Sequence, residues 1–183
     1  MIEVEIKGYA DDEVFKRVRR NFQPIRREHQ EDTYYNHPCR DFSSTDEALR
    51  IRIRRFNGHF EAFLTYKGPK IDGHSKSRVE VEVPINDPDK HAEILRNLGF
   101  NEVLTIDKVR EKYYVDKGVI IALDEVSGIG KFIEIETFTE RKEEVPKIVS
   151  FLRKVLSDLG VTKFERRSYL ELLLKKAGDN GKT

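Results

Sequence analysis

A chain of 183 residues with 38% hydrophobic content is long enough for one domain with a sizeable core. Lysine, arginine, aspartate and glutamate make up 37% of it, yet 34 basic residues nearly cancel 33 acidic ones and leave a formal charge of +1, unlike the lopsidedly basic balance of a protein built only to hold nucleic acid. No apolar run approaches the ~18 residues of a membrane helix, Met1-Ile2-Glu3-Val4-Glu5 lacks the apolar stretch of a secretory leader, and the lone Cys39 excludes an internal disulfide, so a cytoplasmic protein is expected.

Residues 1–8 alternate as a strand, and Asp11 to Phe22 follow as a helix with acidic residues at its start and Phe15, Val18 and Phe22 at helical spacing. Residues 48–56 and 59–67 flank Asn57-Gly58, a two-residue hairpin signal because both positions tolerate positive φ. A loop with Gly68, Pro69 and Gly73 comes next; it lacks the Gly-Lys-Ser/Thr ending of a P-loop. A strand over about 77–84 leads to a helix that Asp87-Pro88 begins and Gly99 ends. Strands at 107–115 and 119–125 turn at Asp116-Lys117-Gly118, and a strand at 131–138 follows Ser127-Gly128-Ile129-Gly130. Helices near 142–159 and 164–176 close a single domain over 1–176, and residues 177–183 read as a flexible tail. The sum is an α+β domain dominated by a largely antiparallel sheet of seven or eight strands.

Successive side chains of a strand point to opposite faces. Here one face is apolar (Ile2, Val4 and Ile6, for example) and the other is almost wholly ionised. That second face carries nine cations: Lys7, Arg50, Arg52, Arg54, Lys67, Arg78, Lys108, Arg110 and Lys112. It also carries seven carboxylates: Glu3, Glu5, Glu80, Glu82, Asp124, Glu134 and Glu136. A solvated face on a one-sided sheet is the ordinary reading of such alternation. Against it stands the repeated Glu-x-Glu (3/5, 80/82, 134/136), which sets two acids ~7 Å apart on one face and suits hard divalent cations. Cations that neutralise phosphate oxygens, together with carboxylates that hold Mg²⁺ or Mn²⁺, match the needs of a polyphosphate–metal complex. If the sheet curls into a barrel, this face becomes its lumen.

The five histidines (29, 37, 59, 74 and 91) show no metal-ligand spacing, and Tyr34 and Tyr35 either pack in the core or stack on a base. Leu170 and Leu172–Leu174 serve either the core or a homodimer contact.

At these residues the chain resembles the CYTH superfamily, the triphosphate tunnel metalloenzymes. Glu3-x-Glu5-x-Lys7, Leu49-Arg50-Ile51-Arg52, Thr65-Tyr66-Lys67-Gly68-Pro69, Arg78-x-Glu80-x-Glu82, Lys108-x-Arg110, Leu123-Asp124-Glu125-Val126 and Phe132-Ile133-Glu134-Ile135-Glu136 fall in that family's order. Gln30 to Asn36 and Gly128-Ile129-Gly130 are similar to its class IV adenylyl cyclase branch. The resemblance covers roughly residues 1–172 and implies an antiparallel eight-stranded closed β-barrel, a tunnel with helices packed on its outside. It implies Glu3, Glu5, Glu134 and Glu136 as ligands of Mg²⁺ or Mn²⁺, with Asp124 and Glu80 or Glu82 assisting. Lys7, Arg50, Arg52, Lys67, Lys108 and Arg110 would grip the triphosphate, and Arg78 would pair with phosphate or with a carboxylate. Asp124 and Lys67 are the catalytic candidates, Asp124 as a base, while Arg54 and Lys112 lie nearer strand ends and stay solvated.

The implied activity is a divalent-metal-dependent adenylyl cyclase converting ATP to cyclic AMP and pyrophosphate. A triphosphatase acting on thiamine triphosphate, a nucleotide or inorganic tripolyphosphate shares the same chemistry. A non-catalytic polyphosphate- or RNA-binding module is the third reading, disfavoured by the near-neutral charge and the clustered carboxylates. The partners expected are a nucleoside triphosphate or other triphosphate, with no membrane and no nucleic acid.

Overall fold

A computed structural model describes residues 1–71, 73 and 76–180, with the backbone alone at Asn180. Eight strands run β1 (Ile2–Tyr9), β2 (Gln23–Asn36), β3 (Ala48–Phe56), β4 (His59–Lys70), β5 (Arg78–Ile85), β6 (Asn101–Asp116), β7 (Val119–Val126) and β8 (Gly130–Thr139). They are hydrogen-bonded in the closed order β1-β5-β4-β3-β2-β6-β7-β8, every pairing antiparallel. Five α-helices accompany them: α1 (Asp12–Asn21), α2 (Phe42–Thr45), α3 (Pro88–Asn97), α4 (Val145–Asp158) and α5 (Tyr169–Asn180). The expected eight-stranded barrel with external helices is therefore the fold.

Local chemistry explains the boundaries. The Asp11 side chain accepts from the Val14 N–H at 2.9 Å and caps α1. Asp87 does the same for α3 through Lys90 at 3.1 Å, with Pro88 in the first turn. Asn57 and Gly58 take φ of 48° and 76°, the left-handed pair that a two-residue hairpin between β3 and β4 requires.

The apolar faces of β1, β7 and β8 point outward and pack under α1 and α4, burying Val4, Ile6, Ile133, Ile135, Phe15, Val18, Leu152 and Leu156 in one cluster. A second cluster joins Tyr34, Ile106 and Phe132 to Tyr169 and Leu172 of α5, and a third seats Leu95 of α3 over Ile51, Ala62 and Ile85. Leu170 and Leu173 pack against the second cluster, which gives these leucines a place in the core. No helix among the described residues is long and apolar enough to cross a membrane.

Closure is uneven. The β1–β8 ladder runs from Ile2↔Thr139 to Tyr9↔Phe132, whereas β1 meets β5 only at Ile2↔Val79 and Glu3↔Arg78. Beyond that point the carbonyl of Glu5 accepts from the Lys76 N–H at 3.0 Å instead.

Several expectations are corrected. β2 was not foreseen as a strand, because it carries no apolar alternation: Glu28, Gln30 and Asp32 face inward while Arg27, Glu31 and Thr33 face out. β6 begins at Asn101 rather than near 107. The last helix begins at Tyr169 rather than 164, since Phe164 is bridged to Gly8 and the Glu165 N–H is bonded to the Lys7 carbonyl. It also runs on to Asn180, so residues 177–180 of the expected tail are helical. Residues 181–183, and with them the rest of that tail, lie outside the described residues, as do Asp72 and His74.

Candidate active site

The inward faces of the strands line a cavity of about 540 Å³ along the barrel axis. Its wall holds nine cations and ten carboxylates, counting those at the mouth contributed by α2, its flanks and α5. The residues are distant in sequence, and closure of the sheet brings them together.

Most of the ionised groups are already matched. Asp32, 1% exposed, takes both arms of the Arg52 guanidinium at 2.5 and 2.6 Å and lies 3.6 Å from Arg50 and 3.7 Å from Lys108. Burial alone would raise its pKa, but Arg52, Arg50 and Lys108 outweigh it and hold Asp32 well below the usual carboxylate range. Lys67 lies 2.5 Å from both Glu3 and Glu80. Lys76 pairs with Glu5 and lies 3.3 Å from Glu134, which also accepts from Arg110. Glu82 bonds Arg54 at 3.2 Å and Thr65 at 2.9 Å.

Where like charges crowd, or burial outweighs the counter-charge, the balance shifts. Desolvation, then the neighbouring Glu134, pushes Glu5 up to about 7. Desolvation and then Arg110 bring Lys108 down to about 7. The lumen therefore holds groups whose charge is unsettled near neutrality and which a ligand of the right sign would settle.

The expected site residues are placed as follows. Arg50, Arg52, Lys67, Arg78, Lys108, Arg110, Glu3, Glu5, Glu80, Glu82, Glu134 and Glu136 all line the cavity. Arg54 and Lys112 line it too, instead of standing solvated at strand ends, because the tilted strands carry them inward to Glu82 and Glu28. Arg78 faces a carboxylate, at 3.7 Å from Asp46. Asp124 is fully buried behind the lining, bound by Arg110 Nε at 2.7 Å and by the Tyr169 hydroxyl at 2.7 Å. Burial would raise its pKa, but Arg110 and Lys108 overcome that and keep it ionised, a poor position for a base and a good one for orienting Arg110. Lys7, 1% exposed, lies off the main lining altogether.

Sequence reasoning missed Glu28, Gln30 and Asp32 on the unforeseen β2, Lys76 in the loop before β5, and Tyr169, which stands over Lys7 and Lys108 with ring centroid distances of 4.1 and 5.0 Å. Polar residues at alternate positions 28, 30 and 32 were the available signal for β2. Lys76 lies outside any periodic element and offered none.

The carboxylates supply the oxygen donors that a hard cation takes. Among the described residues no three of them converge as a ligand set, and Glu136 makes no ion pair. Yet Glu5 with Glu134, and Glu3 with Glu80, each embrace a lysine ammonium between two oxygens. An all-oxygen donor set that already holds cations fits a hard divalent ion. On the anion side, Arg50 Nε and Arg54 Nε are buried without a hydrogen-bond partner, donors open to an incoming oxyanion.

The CYTH domain profile matches residues 1–169, nearly all of the barrel and its helices. This chain belongs to the CYTH family. CYTH proteins act on triphosphate substrates with divalent metals, as adenylyl cyclases or triphosphatases. A protein of Methanocaldococcus jannaschii that bears the provisional name adenylate cyclase is 44% identical over 177 residues, 94% of this chain and 98% of that one. The adenylate cyclase CyaB of Aeromonas hydrophila is 32% identical over 145 residues, 78% of this CYTH chain and 71% of its own length. The solved structure of PH1819 from Pyrococcus horikoshii OT3 shares 66% identity and a TM-score of 0.94, over 95% of this chain and 99% of that one.

Proposed function

We propose that this protein is a divalent-metal-dependent adenylyl cyclase, converting ATP to cyclic AMP and pyrophosphate. The observation that carries the reading is one lumen lined by both signs of charge, with paired carboxylates beside arginines whose Nε donors are open. The adenylate cyclase names of two relatives that cover most of the chain support it.

Glu3, Glu5, Glu134 and Glu136, with Glu80 or Glu82, would hold Mg²⁺ or Mn²⁺. When bound, such an ion neutralises phosphate oxygens and makes a coordinated hydroxyl more acidic. Arg50, Arg52 and Lys108 grip the triphosphate, Arg giving two parallel hydrogen bonds to an oxyanion. Asp32 holds Arg52 in place and Asp124 holds Arg110, so the donors are aimed before substrate arrives. Lys67, near Glu3 and Glu80, follows the charge that develops on the phosphates. The 3′-oxygen attacks the α-phosphorus in line, its proton passes to solvent water, the bond from that phosphorus to the bridging oxygen breaks, and pyrophosphate departs on the lysines and arginines.

A second reading, hydrolysis of a triphosphate, draws support from one feature. Charged lining continues through Arg54, Glu82 and Lys112 beyond the Arg50–Arg52 layer, which gives an inorganic tripolyphosphate a second register. Incubation with ATP and Mg²⁺ or Mn²⁺ separates the two. Cyclic AMP with pyrophosphate supports the cyclase, and ADP with phosphate replaces it by the triphosphatase.

A further inference from the structure

Tyr169 is the first residue of α5, and its side chain enters the end of the barrel, where the residue is 6% exposed. Apolar packing aims it. The ring lies edge-on to Phe132, with centroids 5.0 Å apart and planes at 61°, in the cluster that also holds Tyr34, Ile106 and Leu172 of the same helix. A tyrosine so enclosed has little freedom to turn, and its hydroxyl must find a partner inside.

That partner is Asp124. Its Oδ2 accepts from the Tyr169 hydroxyl at 2.7 Å and from Arg110 Nη2 at 2.5 Å, while its Oδ1 accepts from Arg110 Nε at 2.7 Å. Burial, and then the Asp124 charge, push the Tyr169 hydroxyl well above its usual range, so it stays a donor. A guanidinium fork pairs with a carboxylate through two parallel hydrogen bonds. Whatever fixes the plane of Asp124 therefore fixes the direction of Arg110. Asp124 and Arg110 both stand on barrel strands, β7 and β6, whereas the hydroxyl comes from a helix outside the sheet and gives the pair an anchor the strands do not supply. The ring acts on a second cation. The Lys108 ammonium lies 5.0 Å from its centroid, within the distance at which an aromatic face attracts a positive charge. Arg110 and Lys108 both line the tunnel.

We propose that Tyr169 is a positioning residue for the triphosphate: its hydroxyl sets the aim of Arg110 through Asp124, and its ring holds the Lys108 ammonium. The inference rests on the reading of the tunnel as a triphosphate site and adds α5 to the elements that shape it. The helix then fixes two substrate-gripping cations without touching the substrate.

Titration calorimetry with inorganic tripolyphosphate, at low salt and without added metal, tests this on the wild type, Tyr169→Phe and Tyr169→Leu. Tyr169→Phe keeps the ring, loses the hydroxyl and weakens binding roughly tenfold, about what one hydrogen bond to a charged group contributes. Tyr169→Leu loses the ring face as well and weakens it by roughly a further threefold. In an Arg110→Lys background Tyr169→Phe changes affinity by less than about twofold, because the hydroxyl acts through the arginine. A residue that only holds the helix in place costs the same factor in both backgrounds, and that result overturns the proposal. So does a Tyr169→Phe affinity within about twofold of the wild type. If Tyr169→Leu does not fold, Tyr169→Phe in its two backgrounds decides alone. A wild type that binds no tripolyphosphate overturns the tunnel reading and this proposal together, whereas normal wild-type binding that Tyr169→Phe leaves unaltered overturns the positioning role alone.

Discussion

Replacing Asp32 by asparagine removes one negative charge and almost no volume from a site where three cations share it. Arg50 and Lys108 lie 3.6 and 3.7 Å from the carboxylate and Arg52 clasps it at 2.5 and 2.6 Å. At an effective dielectric of about 20, each of the two longer contacts alone corresponds to about 4–5 kcal/mol of attraction. Desolvation offsets much of that, and breaking a buried pair from one side costs about 3–5 kcal/mol in practice. With Arg50, Arg52 and Lys108 left facing one another, Asp32→Asn belongs at the upper end of that range. Urea unfolding reads it as a midpoint lowered by about 2 M if the slope is about 2 kcal/mol per molar. The sign of the pH dependence follows from the lowered pKa of Asp32: the contribution is present above the unfolded value near 3.8 and is lost as pH falls below it. Added phosphate or sulfate recovers part of the loss in the variant, since an anion can take the carboxylate's place among the three cations. A loss under about 1 kcal/mol, or stability indifferent to anions, refutes the electrostatic account of the lumen.

Three further outcomes follow from the same geometry. Glu5→Ala and Glu136→Ala each abolish metal-dependent turnover with ATP and with tripolyphosphate while circular dichroism stays that of the wild type; full activity in both removes them as ligands. Lys108 is brought down to about 7 by burial and Arg110, and a bound anion favours its charged form, so affinity for tripolyphosphate falls as pH rises from 7 toward 9. Flat affinity across that range, followed by titration calorimetry, contradicts this. Gly8→Ala destabilises by roughly 1–3 kcal/mol in thermal unfolding, because its Cβ would stand 2.4 Å from Val161 Cγ1 and 3.1 Å from the Lys163 carbonyl; an unchanged Tm means the C-terminal segment is not held against β1 as described.

Much of this was legible in the chain because the barrel separates its chemistry by strand face. Where an apolar outer face meets a helix, as in β1 and β8, alternation with Glu3, Glu5 and Glu134 makes both the strand and its inward residues readable. β2 meets helices at its Tyr34–Tyr35 end, but its outer positions at Arg27, His29, Glu31 and Thr33 are polar as well, and Asp32 was hidden with them although it neutralises three cations. Asp124 was read correctly as inward but misplaced in depth, because periodicity gives the face and says nothing of what stands in front. Lys76 and Tyr169 reach the site from a loop and a helix end, where only the folded chain determines their direction.

The glutamates of β1, β5 and β8 hold lysines in the resting molecule, so the tunnel is less an empty slot than a lattice of ions with its vacancies already filled from within. A guest enters by partner exchange. A naked polyanion would strip arginine from aspartate and leave the acid stranded, and a lone cation would do the reverse to the lysines. A visitor that brings both signs, as a chelated triphosphate does, can trade with each side at once, which makes charge stoichiometry a filter ahead of shape.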